Sequence, residues 1–291
     1  MKIHHFSEYV CPRVLKLAWE QKKMGHWVGL HVRNLSGFHD MSFLDLYRDY
    51  DSVIIPTEVI AHLHTHRYQP AQELSLADKG LIFWDAHDMP EWRVQSWPDF
   101  APAENMNAQT VYRTYCPEDW FWKSEERKGL VLVSGLSDSG MRHWKPFLDG
   151  IKGTELTCIS SSFRVKELYA RWWEDPMDIQ TLIKRLSTFE AGLCGSPFPD
   201  ANLLKAMPNK LFEYMAAGIP VICVGRSRMA DWIEEHDVGV VVSQPEQVEK
   251  AIQEVRAKRE NVLKLRHLWT MGRECEKVLE AYQRKGRMGC A

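Results

Sequence analysis

Residues 208–224 read PNKLFEYMAAGIPVICV, and each part of that run has a physical meaning. Pro208 suits the first helical turn, where its missing N–H costs nothing and its fixed φ is already helical. Leu211, Tyr214 and Met215 fall on one helix face at spacings of three and four, while Asn209, Lys210 and Glu213 share another. Gly218 offers a left-handed stop that needs no Cβ, and Pro220 forbids continuation. Val221–Val224 is a short, β-branched apolar run of the kind found in parallel strands covered on both faces. Helix, stop and buried strand in this order predict an α/β fold built on a parallel sheet.

The same grammar extends in both directions. C-terminal to the run, Val238–Val242 reads as a strand, Ser243-Gln244-Pro245-Glu246 has capping-box form, and Val248, Ile252 and Val255 mark the helix that follows. A final amphipathic helix is expected over about 262–284. N-terminal to it, 129–134 and 155–160 read as buried strands, Ile179, Leu182, Ile183 and Leu186 as a helix face, and 192–195 as a short strand. The chain opens with a strand at 2–6, a helix over 13–24 stopped by Gly25, and a strand at 27–32, a parallel-type unit. Further strands are expected at 52–55 and 81–84. Between 101 and 128 no periodicity survives and Pro102 and Pro117 interrupt the chain. The fold class predicted is therefore α/β, two Rossmann-like domains facing across a cleft, with boundaries at 1–125 and 126–291.

Composition agrees. The chain has 291 residues, 45% of them hydrophobic, enough for two cored domains. No apolar run approaches the roughly 18 residues of a membrane span, and MKIHHFSEYV lacks a secretory pattern, so a soluble, cytoplasmic protein is expected. Seven scattered cysteines without C-x-x-C spacing fit reduced thiols. Residues 1–125 hold twelve Lys and Arg against seventeen Asp and Glu, so the first half carries no basic stripe for nucleic acid or anionic membrane.

The 208–224 run resembles the donor-binding helix of GT-B glycosyltransferases of the family 4-like group, whose form is P-x-K-x-x-E-Y-x-A-x-G-x-P-V-I. The opening CPRVLKLAWEQKKMGHWV resembles the first helix of their acceptor domains, and Asp85-Ala86-His87-Asp88 resembles their D-x-H-[DE] run. The resemblance implies transfer of a sugar from a nucleotide-sugar donor to an acceptor hydroxyl, without a metal, with retention of anomeric configuration and no cofactor beyond the nucleotide-sugar co-substrate. It also implies a C-terminal helix that crosses back to the first domain. Glu213 would bind the ribose hydroxyls, and Pro208, Asn209 and Lys210 at the helix start would face the diphosphate. Chemistry supports those assignments, since a carboxylate accepts two O–H bonds and free helix-start N–H groups favour phosphate. Lys210 is the first candidate for neutralising the leaving group, with Arg142, Arg164 and Lys205 behind it. Gly135 opens the phosphate-side loop, and the backbone near Trp172 and Trp173 occupies the place where relatives hold the base. His87, with Asp85 or Asp88 setting its tautomer or taking a proton, is the candidate catalytic group of the first domain.

Two departures weaken the match. Where many relatives carry a first glutamate eight positions before the second, this chain has Lys205, which makes retention a weaker inference. The loop Gly135-Leu136-Ser137-Asp138-Ser139-Gly140 lacks the usual Arg and Lys clamp. A nucleotide-binding accessory protein without catalysis, and a nucleotide-sugar epimerase or hydrolase, therefore stay open as alternatives. The bland readings are a core helix with a Lys210–Glu213 surface ion pair, core or lid tryptophans, and a His87 that satisfies loop backbone. His62-Leu63-His64-Thr65-His66 alternates like a strand and could offer zinc ligands, but no fourth ligand stands at standard spacing, so a solvated strand or loop and no metal are expected. The acceptor alternatives are a glycan, a lipid-linked glycan or a hydroxymethylated DNA base.

Overall fold

The computed structural model describes residues 1–34, 39–47, 59–65, 81–86, 100–101, 110–134, 138–160, 173–199 and 203–288. The chain divides into two compact units, Met1–Pro117 with Thr270–Ala291, and Glu118–Trp269. The division falls after Pro117 rather than after residue 125. Backbone bonds explain the shift. The Met271 N–H donates to the Cys116 carbonyl (3.1 Å), whereas the Trp122 N–H donates to Ala216 (3.0 Å), tying residues on either side of the division to different units.

In the first unit β1 (Lys2–Tyr9), β2 (Trp27–Asn34), β3 (Asp45–Tyr47), β4 (Val59–Thr65), β5 (Leu81–Ala86), β6 (Phe100–Ala101) and β7 (Thr110–Val111) form one sheet in the order β3-β2-β1-β4-β5-β6-β7. Its pairs are parallel. Helix α1 (Pro12–Lys23) has proline in its first turn and is followed by Gly25 at φ +83°, as its sequence requires. The strand expected at 52–55 lies outside the described residues.

The second unit builds β8 (Leu130–Ser134), α2 (Asp138–Asp149), β9 (Leu156–Ser160), β10 (Trp173–Glu174), α3 (Ile179–Leu186), β11 (Ala191–Gly195), α4 (Asn209–Ala216), β12 (Val221–Val224), α5 (Arg228–Glu235), β13 (Gly239–Val242), α6 (Val248–Arg256) and α7 (Arg259–Leu265). Its sheet runs β10-β9-β8-β11-β12-β13, again with parallel pairs. In both units the strand order reverses beside the first strand, between β1 and β4 and between β8 and β11. These are two doubly wound, Rossmann-like units.

The expected tail helix over 262–284 is two helices. Helix α7 ends at Leu265, and α8 (Met271–Met288) belongs to the first unit. The break falls where the Arg266 guanidinium turns to donate to the Trp122 and Ala216 carbonyls (2.6 and 3.0 Å). Helix α8 buries Met271, Cys275, Val278 and Tyr282 in one core with Ile3, Leu17, Ile60 and Phe83. The capping box also moves by one residue. Gln244 and Gln247 exchange the reciprocal bonds expected of Ser243 and Glu246, since Pro245 occupies the first turn.

Among the described residues no helix is long and apolar enough to cross a membrane. The six described cysteines are buried thiols.

Candidate functional site

Helix α4 ends as its sequence dictates. Gly218 stands at φ +69°, its N–H donates to Met215 (2.9 Å), and the Ile219 N–H reaches back to Tyr214 (3.1 Å), a six-to-one closure. Its start differs slightly from expectation. Pro208 is the N-cap, extended at φ −71° and ψ 148°, and offers no side-chain cap, so the helix proper begins at Asn209.

Lys210, Glu213 and Tyr214, spaced by three and four, lie along one stripe of α4. That stripe meets the place where the sheet order reverses. Partly buried, the Lys210 ammonium donates to the Val133 carbonyl (2.7 Å) at the carboxyl end of β8. Desolvation lowers the Lys210 pKa below its ordinary value, with the nearby Cys194 thiol, Glu213 carboxylate and Cys158 thiol opposing the shift. Tyr214, fully buried, accepts from the Val133 N–H (3.0 Å) and donates to the Leu193 carbonyl of β11 (3.0 Å). Its ring crosses the sheet over Gly192, where a Cβ would stand 2.6 Å from the ring atoms. Glu213 is 3% exposed, near enough to Lys210 to favour its charge. The surface ion pair is therefore not what holds this helix. The lysine bonds to the sheet, and the carboxylate lies beneath the surface. Ligands of doubly wound sheets bind outside the carboxyl ends of the strands at such a reversal, and here a desolvated cation, an uncapped helix start and a buried acid meet that position.

Other expected contributors fall elsewhere. Lys205 is half-buried on the 203–205 turn that leads to α4, and no hydrogen bond or ion pair joins it to the stripe. Trp173 packs its partly buried ring against the hydrophobic core from edge strand β10, with β9 between it and β8. Arg142 lies on α2, and its side chain is outside the described residues. Gly135, Arg164, Trp172, His87 and Asp88 also lie outside them.

Asp85 is a correction. It sits at 0% exposure on β5, and Arg13 of α1 holds both of its oxygens (3.1 and 2.7 Å). His62 Nε2 (3.0 Å), His64 Nδ1 (3.3 Å) and the Tyr112 hydroxyl also converge on Oδ2. A carboxylate committed to so many partners is a structural ion rather than a free proton acceptor. Burial opposes the Arg13 charge, but the Asp85 carboxylate outweighs it and raises the guanidinium pKa.

The solvated strand or loop expected at His62–His66 is likewise corrected. His62 and His64 are buried in β4 on the face that β1 presents with His5, and His66 lies outside the described residues. Six contacts close a circuit: from Asp85 to His62, on to the Tyr282 hydroxyl, to Gln21 Nε2 (3.3 Å), from Gln21 Oε1 to His5 Nε2 (2.6 Å), from His5 Nδ1 to His64 Nε2 (2.8 Å), and back to Asp85. The three imidazoles bring ligand atoms within 4.8 Å of one another, a metal-like gathering. Yet each of their six ring nitrogens already meets a protein group, and the Asp85 carboxylate beside them is paired to Arg13. The circuit is thus satisfied from within. Burial first, and then neighbouring imidazoles, push His5 well below its ordinary pKa and His64 down to about 3. Sequence reading missed Arg13, Gln21, Tyr112 and Tyr282 because the circuit joins residues from β1, β4, β5 and two helices.

Two kinds of similarity bear on the fold. Residues 202–280 match the family described as "Glucosyltransferase 3-like, C-terminal domain". No curated protein matches the chain in sequence. Among solved structures, AviGT4, a glycosyltransferase involved in avilamycin A biosynthesis, is similar at 14% identity and TM-score 0.66 over 98% of each chain. Anabaena HepE in complex with UDP is similar at 12% identity and TM-score 0.60 over 98% of this chain and 100% of that one. An α-glucosyltransferase in complex with UDP and a 13-mer DNA is similar at 14% identity and TM-score 0.60 over 97% and 94%. The chain has the fold of the GT-B glycosyltransferases.

Proposed function

We propose that this protein is a glycosyltransferase that moves a sugar from a nucleoside-diphosphate donor to an acceptor hydroxyl, with the donor held by the second unit. The observation that carries the reading is the α4 stripe at the β8/β11 reversal, where Lys210 points its ammonium at the strand end and Glu213 stands one turn further along. As the glycosidic bond breaks, negative charge grows on the departing diphosphate, and stabilising that charge is the largest demand on such a site. The uncapped N–H groups at the start of α4 and the Lys210 ammonium meet it, and partial desolvation strengthens the lysine's field. Glu213 accepts the ribose hydroxyls. In this reading protein charge, not a metal, carries the leaving group, and the sugar is transferred with retention.

The similar structures support a uridine nucleotide, since two of them hold UDP. For the acceptor we infer a glycan or lipid-linked glycan ahead of a hydroxymethylated DNA base, because residues 1–125 carry an excess of five acidic groups.

Lys205 in place of a glutamate favours a second reading, a nucleotide-binding protein that has lost its sugar contacts. Incubation with uridine, guanosine and adenosine diphosphate sugars separates the readings. Diphosphate release stimulated by an added acceptor is expected. Nucleotide binding without turnover would favour the accessory role, release independent of acceptor a hydrolase, and a changed sugar an epimerase.

A further inference from the structure

We propose that Tyr214 is a positioning residue for the nucleotide site: its hydroxyl stands as the last rung between β8 and β11, holds their carboxyl ends apart, and keeps Val133 in place for Lys210. The assignment of the ligand rests on the proposed function; the rung itself rests on geometry alone.

The Gly192 N–H donates to the Pro220 carbonyl (2.9 Å), which sends the Gly192 peptide groups toward β12. By strand alternation those of Ala191 and Leu193 face β8. The β8/β11 ladder pairs Leu130 with Ala191, Val131 with Gly192 and Leu132 with Leu193. With Leu132 opposite Leu193, a continuing parallel ladder would join the Val133 N–H to the Leu193 carbonyl. Those are the two atoms that the Tyr214 hydroxyl takes, one as acceptor and one as donor, each at 3.0 Å. Two bonds in series hold the strands wider than the single contact of about 2.9 Å that a direct rung would make.

Three neighbours show that the insertion is accommodated by design of the local sequence. Gly192 leaves room for the ring, because any Cβ would lie 2.6 Å from it. A glycine inside a strand marks such close approaches. The Val133 carbonyl, which leaves its strand on the same side as the Val133 N–H, accepts from Lys210 (2.7 Å). Both polar atoms that Val133 turns toward β11 are thus held by α4. The spacing of Lys210 and Tyr214 by four residues lets one helix face do this. Opening the sheet at its reversal point and fixing the cation beside the opening are therefore one structural act.

Tyr214→Phe keeps the ring and removes the rung. The full chain and this variant are titrated with uridine, guanosine and adenosine diphosphates by calorimetry, and exchange of the Val133 amide is followed by NMR. Leu211→Val, which trims a core side chain on the same helix without touching the rung, is the control for general loosening. In Tyr214→Phe we expect the nucleotide Kd to rise at least tenfold and Val133 exchange to quicken at least tenfold, while Leu211→Val changes the Kd less than twofold. Tyr214→Phe binding within twofold of the parent would overturn the positioning role, as would equal weakening by Leu211→Val. If the parent binds none of the three diphosphates, the proposed function fails, and the exchange measurement still decides the rung: unchanged Val133 exchange in Tyr214→Phe overturns it and faster exchange supports it.

Discussion

The two units share a topology but finish their reversal points in opposite ways. Strands β1 and β4 pair from Lys2 with Val59 through Ser7 with His64, while β8 and β11 pair only from Leu130 with Ala191 to Leu132 with Leu193. In the first unit, polar side chains fill the space beside the long ladder and satisfy one another around Asp85. In the second, the ladder stops early, a tyrosine hydroxyl spans the gap, and a lysine is left with a neutral carbonyl as its hydrogen-bond partner. A polar cluster whose charges cancel internally stabilises and specifies a core. A desolvated cation whose hydrogen-bond partner among the described residues is a strand-end carbonyl fits the diphosphate role proposed for it.

The contrast can be broken most forcefully in the first unit. Asp85→Ala would leave the Arg13 guanidinium buried without its carboxylate, and we expect a loss of about 3–5 kcal/mol in urea denaturation. Nucleotide binding by the folded fraction should be unchanged, and a stability loss below about 1 kcal/mol would show that the circuit is not the core's polar anchor.

In the second unit the same kind of change should spare stability and cost affinity. Glu213→Ala is expected to weaken nucleotide binding by about 1.5–3 kcal/mol, the scale of a hydrogen bond to a charged group. Calorimetry showing equal affinity would remove Glu213 from the site. Lys210→Met should weaken diphosphate binding over the same range with little loss of melting temperature, since its ammonium is already partly desolvated.

Gly192→Ala tests the packing that carries Tyr214. The new Cβ would meet the ring at 2.6 Å, so we expect about 1–3 kcal/mol of destabilisation by overpacking, read in urea midpoints. Acid sharpens the comparison most gently. His64 titrates at about 3 in the fold, and His5 well below its ordinary value, whereas unfolded histidine titrates near 6.5. The unfolded chain therefore binds more protons between these values. Stability from this source is complete above about pH 7 and falls below about 6.5 by roughly 1.4 kcal/mol per pH unit for each histidine. Urea midpoints at pH 7.5, 6 and 5 should decline accordingly, and a flat series would refute buried neutral rings.

Much of this architecture was legible before any coordinates, because strands and helices announce themselves locally. Pro208, Gly218 and the Val221–Val224 run gave helix, stop and strand without tertiary help, apart from the shift of Pro208 to the cap. Gly25 did the same for α1. What failed was relational. Asp85 and the alternating histidines looked like loop and surface chemistry, since a residue's partners across a parallel sheet lie tens of positions away and leave no spacing to read. The crossing segment likewise has no periodicity, and its allegiance is set by backbone bonds to Ala216 on one side and Met271 on the other.

Local physics in the chain thus determined the α/β class, most element positions and the Lys210–Glu213 stripe of α4, since propensity, capping and hydrophobic period act over a few residues. Tertiary structure decided that the Tyr214 hydroxyl bonds to both β8 and β11, and that Asp85 is buried among Arg13, His62, His64 and Tyr112. Those outcomes depend on which strands become neighbours, and neighbourhood in a crossover sheet is a property of the whole fold.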